Sequence, residues 1–247
     1  MSESNVPAVI DPATNALVPT GPTAALAALQ QENFGDDLFK ASGGSEGMIG
    51  FLPRLQLFTA NSNDVKRGKI NLAHYGTIAG KEKTLTDLGK NVLMVPIAWR
   101  PKALNTKADP VTAFHNPNSK EFKEYKAMAD KDANSGFMYG PEFLVYIPDK
   151  EIGFATFFMG SKSARNESAK LRALLPIGGS PLRPAMATAQ FIETKEYSWH
   201  APQIMPSSQQ VNMPDMDKVN EIALIFLKPK DSEIEEKADE TTVNNDR

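Results

Sequence analysis

The 247-residue chain contains no cysteine. This absence excludes disulfide bonds, thiolate nucleophiles and cysteine-ligated zinc or iron–sulfur sites. Histidine is scarce as well: His74, His115 and His200 lie far apart in the sequence, and no two of them have the H-x-x-x-H spacing of a helical metal site. The sequence therefore supports no local metal site, and we predict that the protein carries no metal or other cofactor.

Long hydrophobic runs are also lacking. No window approaches the roughly 20 apolar residues that a membrane-spanning helix requires. The N-terminal stretch MSESNVPAVIDPATNALVPTG has neither a basic region nor an unbroken apolar core, so no signal peptide is predicted. We therefore expect a soluble, cytoplasmic protein that does not interact with membranes.

Known catalytic motifs are missing. The stretch GTIAGK, which begins at Gly76, resembles a phosphate-binding loop but has three residues between its glycines instead of four. Glu82 follows its lysine where that motif needs Ser or Thr, so we interpret the stretch as a turn between strands. No G-x-S-x-G motif occurs, and no pair of carboxylates stands out as an acid and a base. We predict that the protein is not an enzyme; an active site assembled from scattered residues is the remaining alternative.

Charge is unevenly distributed along the chain, whose net charge is −3. Residues 1–46 carry six acidic residues and one basic residue, and residues 231–247 carry seven acidic and two basic residues. Residues 47–230 contain 24 basic and 17 acidic residues, a net charge of +7. This asymmetry indicates a basic binding body between acidic ends. Acidic ends that only aid solubility are the alternative interpretation.

The distribution of charge along the chain predicts three regions. Residues 1–46 form a flexible N-terminal arm rich in Pro, Ala, Thr, Asn and Gly, with helix-forming content only at 23–31. Residues 47–230 are predicted to form a folded, β-rich body with a net positive charge. Residues 231–247 are polar, acidic and without periodicity, so we predict a disordered tail.

Apolar runs rich in β-branched and aromatic residues predict the strands of the body. They cover residues 52–58, 70–78, 91–99, 143–148 and 152–159, and the run 186–200 predicts one bent strand or two. The three polar residues between the runs 143–148 and 152–159 suit a hairpin.

Helical spacing of apolar residues predicts three helices. The first begins after Asn118 or Ser119, and the others cover 161–175 and 215–227. The predicted fold is mainly β, a β-rich α+β body resembling an oligonucleotide-binding barrel with inserted helices and disordered termini. An α+β sandwich is the alternative.

Aromatic and basic residues occur together at several strand ends. Such pairs are typical of single-stranded nucleic-acid binding, where rings stack on bases and cations follow the phosphates. In KEYSWH, strand alternation would place Lys195, Tyr197 and Trp199 on one face. Burial in the core is the alternative for every aromatic candidate. The candidate nucleic-acid-binding residues are Trp99, Arg100, Lys102, Lys162, Arg165, Lys195, Tyr197 and Trp199, with Tyr75 and Phe157 as weaker candidates.

A β-rich body followed by an acidic tail resembles, in layout, the single-stranded DNA-binding proteins of bacteriophages, in which an oligonucleotide-binding barrel carries an acidic C-terminal tail. Bacterial members close their tails with Pro-Phe, whereas this chain closes with VNNDR. The resemblance implies a non-catalytic single-stranded DNA-binding protein active in replication, recombination or repair. It would contact replication or recombination proteins through its tail, and a homo-oligomer is compatible with it.

A structural or assembly protein, such as a virion component or scaffold without nucleic-acid affinity, is the alternative. The 18 prolines and the long polar arms fit it equally well.

Overall fold

The computed structural model describes residues 9–10, 17–18, 52–79, 83–132, 135–149, 152–176, 181–228 and 233–235. In the N-terminal arm these include β1 (Val9–Ile10) and β2 (Leu17–Val18), which pair antiparallel. The predicted helix at 23–31 lies outside the described residues.

A mixed ten-stranded sheet forms the body. Its spatial order is β11-β10-β6-β8-β9-β3-β4-β5, and β7 pairs with both β6 and β12. Neighbouring strands are antiparallel except β3 and β9, which are parallel. The strands are β3 (Arg54–Leu57), β4 (Tyr75–Ala79), β5 (Thr84–Gly89), β6 (Asn91–Asn105), β7 (Val111–Phe114), β8 (Phe137–Ile147), β9 (Gly153–Phe158), β10 (Ala185–Glu193), β11 (Ser198–Pro206) and β12 (Glu233–Glu235).

The prediction of a mainly β fold is confirmed. The described strands form an open path and do not close into a ring, so the oligonucleotide-binding barrel is not confirmed. The β8–β9 hairpin occurs as predicted, with Ile147 opposite Gly153. The long run 186–200 resolves into two strands joined by a turn, in which the Thr194 N–H donates to the Tyr197 carbonyl at 2.8 Å.

Within residues 47–230, strands β5 and β7 were not predicted, and the prediction for the stretch that begins at Gly76 was wrong. Strands β5 and β7 are short and carry few large apolar residues, so they give little β signal. The stretch that begins at Gly76 was interpreted as a turn, but Gly76 and the three residues after it belong to β4. Residues 80–82 lie outside the described residues.

Three long helices begin where local capping chemistry predicts. In each, the side-chain oxygen of the preceding residue accepts a backbone N–H of the first turn, which satisfies a donor that has no partner within the helix. The capping residues are Ser119, Ser161 and Asp215, so Ser119 rather than Asn118 caps the first long helix. The helices are α1 (Asn63–Lys66), α2 (Lys120–Lys131), α3 (Lys162–Arg172) and α4 (Met216–Leu227). No helix in the described ranges is long and apolar enough to cross a membrane.

Helices α3 and α4 cover opposite faces of the sheet. Successive side chains of a strand point to opposite faces, and on β8 Phe143 belongs to the core beneath α3 whereas Leu144 belongs to the core beneath α4. Leu171 of α3 and Phe226 of α4 are fully buried in these two clusters. The sheet therefore has a hydrophobic core on each side.

Strands β10 and β11 extend beyond the rest of the sheet. Strand β10 pairs with β6 only through residues 185–188, but it pairs with β11 along its full length, up to Glu193 opposite Ser198. Residues 189–201 therefore form a projecting two-stranded ribbon. One face of the ribbon carries Ile192 and Trp199, which are opposite each other, and the other face carries the pair Phe191 and His200.

The outer edge of β11 is protected against further strand pairing. Two hydrogen bonds fix the register of β10 and β11: Thr194 N–H donates to the Tyr197 carbonyl, and Ser207 N–H donates to the Pro184 carbonyl. The odd-numbered residues of β11 therefore form the hydrogen bonds with β10. The even-numbered residues direct their N–H groups outward. Two of these positions, 202 and 206, are prolines without an N–H group. A third, Ile204, donates to Glu167 Oε2 at 2.9 Å. This bond also fastens α3 to the edge of the sheet.

The predicted tail contributes one described element. Strand β12 pairs antiparallel with β7, with Ile234 opposite Thr112. Strand structure thus extends into the segment predicted to be disordered, and the rest of that segment lies outside the described residues.

Candidate nucleic-acid interface

Tyr75 and Phe157 belong to the core, so their prediction as base-contacting residues is wrong. Tyr75 is 0% exposed, and its hydroxyl donates to the Thr188 carbonyl at 3.0 Å. Burial, together with the negative charge of Glu167, raises the pKa of Tyr75 well above its usual value. Phe157 meets it edge to face with ring centroids 6.3 Å apart. Neither ring can reach a ligand at the surface.

Arg100 and Lys102 are also buried, and their prediction as phosphate contacts is wrong. They are 6% and 2% exposed. Arg100 Nε donates to Glu142 Oε2 at 2.8 Å, and Lys102 Nζ donates to Glu142 Oε1 at 2.7 Å. Moving either cation to the surface would leave a buried carboxylate with less charge compensation, which is costly. Both cations are therefore structural.

Glu142 stays ionised inside the protein because of these two partners. Burial alone would raise the pKa of Glu142, but the charges of Lys102 and Arg100, with a smaller contribution from His115, outweigh burial and lower the pKa to about 2. Arg100 Nη1 also donates to the Phe226 carbonyl at 3.1 Å, in the last turn of α4. Carbonyls there have no partner within the helix, so the guanidinium satisfies one of them.

Trp99 is half-buried. Its ring packs against the core beneath α3, and the Arg172 guanidinium lies 5.0 Å from the ring centroid. This cation–π contact covers part of the ring that is not buried. A nucleobase would have to displace Arg172 to stack on that part, and base contact by Trp99 stays a prediction.

Trp199 lines a groove between the ribbon and α3. The groove has a volume of about 330 Å³, and its walls include Lys162 and Asn166 from α3 and Gln190 and Ile192 from the ribbon. The indole Nε1 of Trp199 donates to Ser163 Oγ at 3.2 Å. The structure thus brings two predicted residues, Trp199 and Lys162, into one concave site.

Arg165 is half-buried and holds α3 against β8. Its Nη1 donates to the carbonyls of Tyr139 at 3.1 Å and Gly160 at 2.6 Å, and its guanidinium lies 4.3 Å from the Tyr139 ring centroid. The neighbouring Gly140 allows the backbone that follows β9 to lie close to β8, because a Cβ atom there would collide with the Met159 carbonyl. A phosphate contact by Arg165 stays a prediction.

Lys195 and Tyr197 lie in the turn at the tip of the ribbon. The prediction that they share one strand face with Trp199 is therefore wrong, since β11 begins only at Ser198. Lys195 is exposed at this tip and Tyr197 is half-buried. The structure still places them on the same ribbon as Trp199.

Sequence reasoning missed Phe191 and His200 as a pair. Phe191 is 55% exposed, and its ring centroid lies 5.2 Å from that of His200 at an interplanar angle of 53°. The two residues face each other only because the hairpin register pairs them. Assigning the run 186–200 to two strands, with a turn near Lys195, would have revealed this pair.

No group of three or more His, Asp or Glu side chains in the described part of the chain could hold a metal ion. Comparison of the chain with protein-family models, curated proteins and solved structures finds no match.

The Glu142 cluster predicts a specific loss of stability in acid. Because the pKa of Glu142 is lower in the folded protein than its ordinary value, its contribution is complete above about pH 4.5 and is lost as the pH falls toward 2. Glu142→Gln should lower the free energy of unfolding at pH 7 by about 3–5 kcal/mol, since it leaves two buried cations without their carboxylate. The difference from the unmodified protein should shrink at pH 3. Urea unfolding at both pH values measures it.

Glu124→Gln is the matched control, because Glu124 is exposed and pairs with Lys120 at 3.7 Å on the surface of α2. A surface pair of this kind contributes at most about 1 kcal/mol. Equal effects of the two substitutions, or a Glu142→Gln deficit that does not depend on pH, would contradict the assignment.

Proposed function

We propose that this chain is a non-catalytic single-stranded DNA-binding protein that acts in DNA replication, recombination or repair. Its binding surface consists of the ribbon, residues 189–201, and the exposed side of α3. The β-rich body and acidic C-terminal segment that resemble bacteriophage single-stranded DNA-binding proteins support this proposal. The buried residues of β6 have no part in binding.

The exposed aromatic pair on the ribbon is the observation that carries the proposal. Phe191 is the most exposed large hydrophobic side chain among the described residues, and it lies beside the His200 ring on a ribbon that projects from the sheet. An exposed ring presents a flat apolar face on which a base can stack. Stacking of a base on a protein ring contributes roughly 1–3 kcal/mol and does not depend on sequence.

Cations lie at the tip of the ribbon and along α3, and the ribbon also carries the exposed carboxylates Glu193 and Glu196. Lys162 and Lys195 are exposed near the groove and at the ribbon tip, and Arg172 is exposed at the far end of α3. Trp199 contacts α3 at Ser163 and Trp99 contacts it at Arg172, nine residues apart, which corresponds to about 13 Å along the helix. That distance matches about four stacked nucleotides at roughly 3.4 Å each. A short single strand lying along α3 would reach both ends.

A structural or assembly role is the second candidate function. The same exposed Phe191 favours it, since an exposed ring on a projecting ribbon also suits contact with another protein. This role requires no affinity for nucleic acid, so the measurements below distinguish the two.

Truncating the exposed ring should weaken binding. Phe191→Ala should lower affinity for a short oligothymidine by roughly 5- to 150-fold, the range that corresponds to the loss of one stacked base. Fluorescence anisotropy of a labelled oligonucleotide at low salt measures it. Met128→Ala is the control, because Met128 is 50% exposed and belongs to α2 rather than to the ribbon or α3.

An equal loss in both variants would argue against a site on the ribbon. Absence of oligothymidine binding by the unmodified protein would refute the proposal and favour the assembly role.

The two tryptophans should respond differently to nucleic acid. In Trp99→Phe the remaining Trp199 should show saturable quenching by oligothymidine, because its ring lines the open groove. In Trp199→Phe the quenching should be much weaker, because Arg172 covers Trp99. Added salt should reverse the quenching, with affinity falling by a log–log slope of about −0.7 for each phosphate neutralised. Quenching confined to Trp99 would contradict base contact in the groove at Trp199.

A further inference from the structure

The edge of the ribbon that faces away from β11 is open beyond the end of β6. Even-numbered residues of β10 form the hydrogen bonds with β11, so the odd-numbered residues direct their N–H groups to the opposite side, toward β6. Strand β6 pairs with β10 only from Met94 to Asn91, which is opposite Thr188. The Phe191 N–H, three residues further along β10, therefore has no strand partner among the described residues. Backbone N–H groups are common donors to phosphate oxygens.

Lys90 lies at the base of this open edge. It is exposed and directly precedes Asn91, so continuing the antiparallel pairing by one residue places it opposite Ala189. Ala189 and Phe191 are two residues apart and lie on the same face of the ribbon. Residues at such diagonal positions on neighbouring strands are roughly 7–8 Å apart. The long side chain of Lys90 can therefore reach an anion beside the Phe191 ring.

The turn between β5 and β6, which carries Lys90, is held by side-chain contacts. Gly89 has a φ of 83°, which glycine adopts without strain. Its N–H donates to Asp87 Oδ1 at 2.8 Å, and the same carboxylate oxygen lies 3.0 Å from His74 Nδ1. The turn is therefore positioned before a ligand binds, which reduces the entropy lost on binding.

Charges of opposite sign flank the Phe191 ring. Lys90 lies toward the base of the ribbon, and Glu193 is exposed toward its tip, on the same face as Phe191. In the part of the chain that the structure describes, no carboxylate forms an ion pair with Lys90. A phosphate is attracted by the ammonium group and repelled by the carboxylate. The base of the ribbon, between Lys90 and Phe191, is therefore the favourable side for an anion.

We propose that Lys90 and the Phe191 N–H bind the phosphate of the nucleotide whose base stacks on Phe191. This inference rests on the proposed single-stranded DNA-binding function and adds the β5–β6 turn to its interface. Phosphate contacts position a strand without reading its sequence, which agrees with the tolerance of ring stacking for every base. The sugar–phosphate backbone would thus pass the base of the ribbon and avoid the carboxylates near its tip.

Replacing the cation tests this site. Lys90→Gln should lower affinity for a short oligothymidine roughly fivefold at low salt, the upper end of the contribution of an exposed ion pair. It should also reduce the magnitude of the log–log salt slope by about 0.7, which corresponds to one phosphate on a single strand. Glu193→Gln should instead raise affinity. Fluorescence anisotropy of a labelled oligothymidine at several salt concentrations measures these changes, and both residues are exposed, so the variants should fold.

Lys123→Gln is the matched control, because Lys123 is exposed on α2 and its replacement changes the net charge by the same amount. It should leave affinity and salt slope nearly unchanged. A double substitution then separates a shared nucleotide from general attraction: if Lys90 and Phe191 contact one nucleotide, Lys90→Gln should have little further effect in the Phe191→Ala protein.

Three results would overturn the phosphate site: equal effects of Lys90→Gln and Lys123→Gln, a Lys90→Gln loss that is the same with and without the Phe191 ring, or no gain in Glu193→Gln. Those results, with oligothymidine still bound, would leave the proposed function intact. Absence of binding to every oligonucleotide would refute the proposed function itself.

Discussion

The buried carboxylate of Glu142 holds two cations inside the body of the protein. It accepts hydrogen bonds from Arg100 and Lys102 between the central strands β6 and β8. Arg100 also donates to a carbonyl in the last turn of α4. One carboxylate thus joins two strands and a helix in a place where an unpaired charge would be costly. It also removes two cations from the surface of a body that is otherwise basic. Exposed cations remain on several parts of the body, including Lys162 on α3 and Lys66 on α1.

Aromatic residues within the sheet differ in exposure from those on the ribbon. Within the sheet, the aromatic residues Tyr75 and Phe157 fill the core. Beyond the part of β10 that pairs with β6, the β10–β11 hairpin carries Phe191 on one face and Trp199 on the other. The edge of β11 is blocked by prolines and by the Glu167 bond to Ile204, which protects it from pairing with another strand. The exposed groups of the ribbon are therefore its side chains rather than its outer backbone edge.

Local signals in the sequence predicted much of the fold but little of the site. Capping residues such as Ser161 and runs of β-branched residues act over a few positions, so helices and long strands could be located from sequence. The burial of Arg100 depends on Glu142, which lies 42 residues away, and strand pairing decides that contact. The Phe191–His200 pair was not predicted for the same reason, since it depends on the hairpin register. Trp199 and Lys162 were predicted from residue type alone, and the structure places both in one groove.

Photo-cross-linking with an oligothymidine that carries a photoreactive thymine analogue at each position tests the location of the interface most directly. Digestion and mass spectrometry of the cross-linked protein identify the peptides in contact with the bases. We expect cross-links on the ribbon, at Phe191, Trp199 or His200, and on α3 near Lys162. Cross-links confined to surfaces away from the ribbon and α3, or none under conditions where the oligonucleotide is bound, would contradict this account.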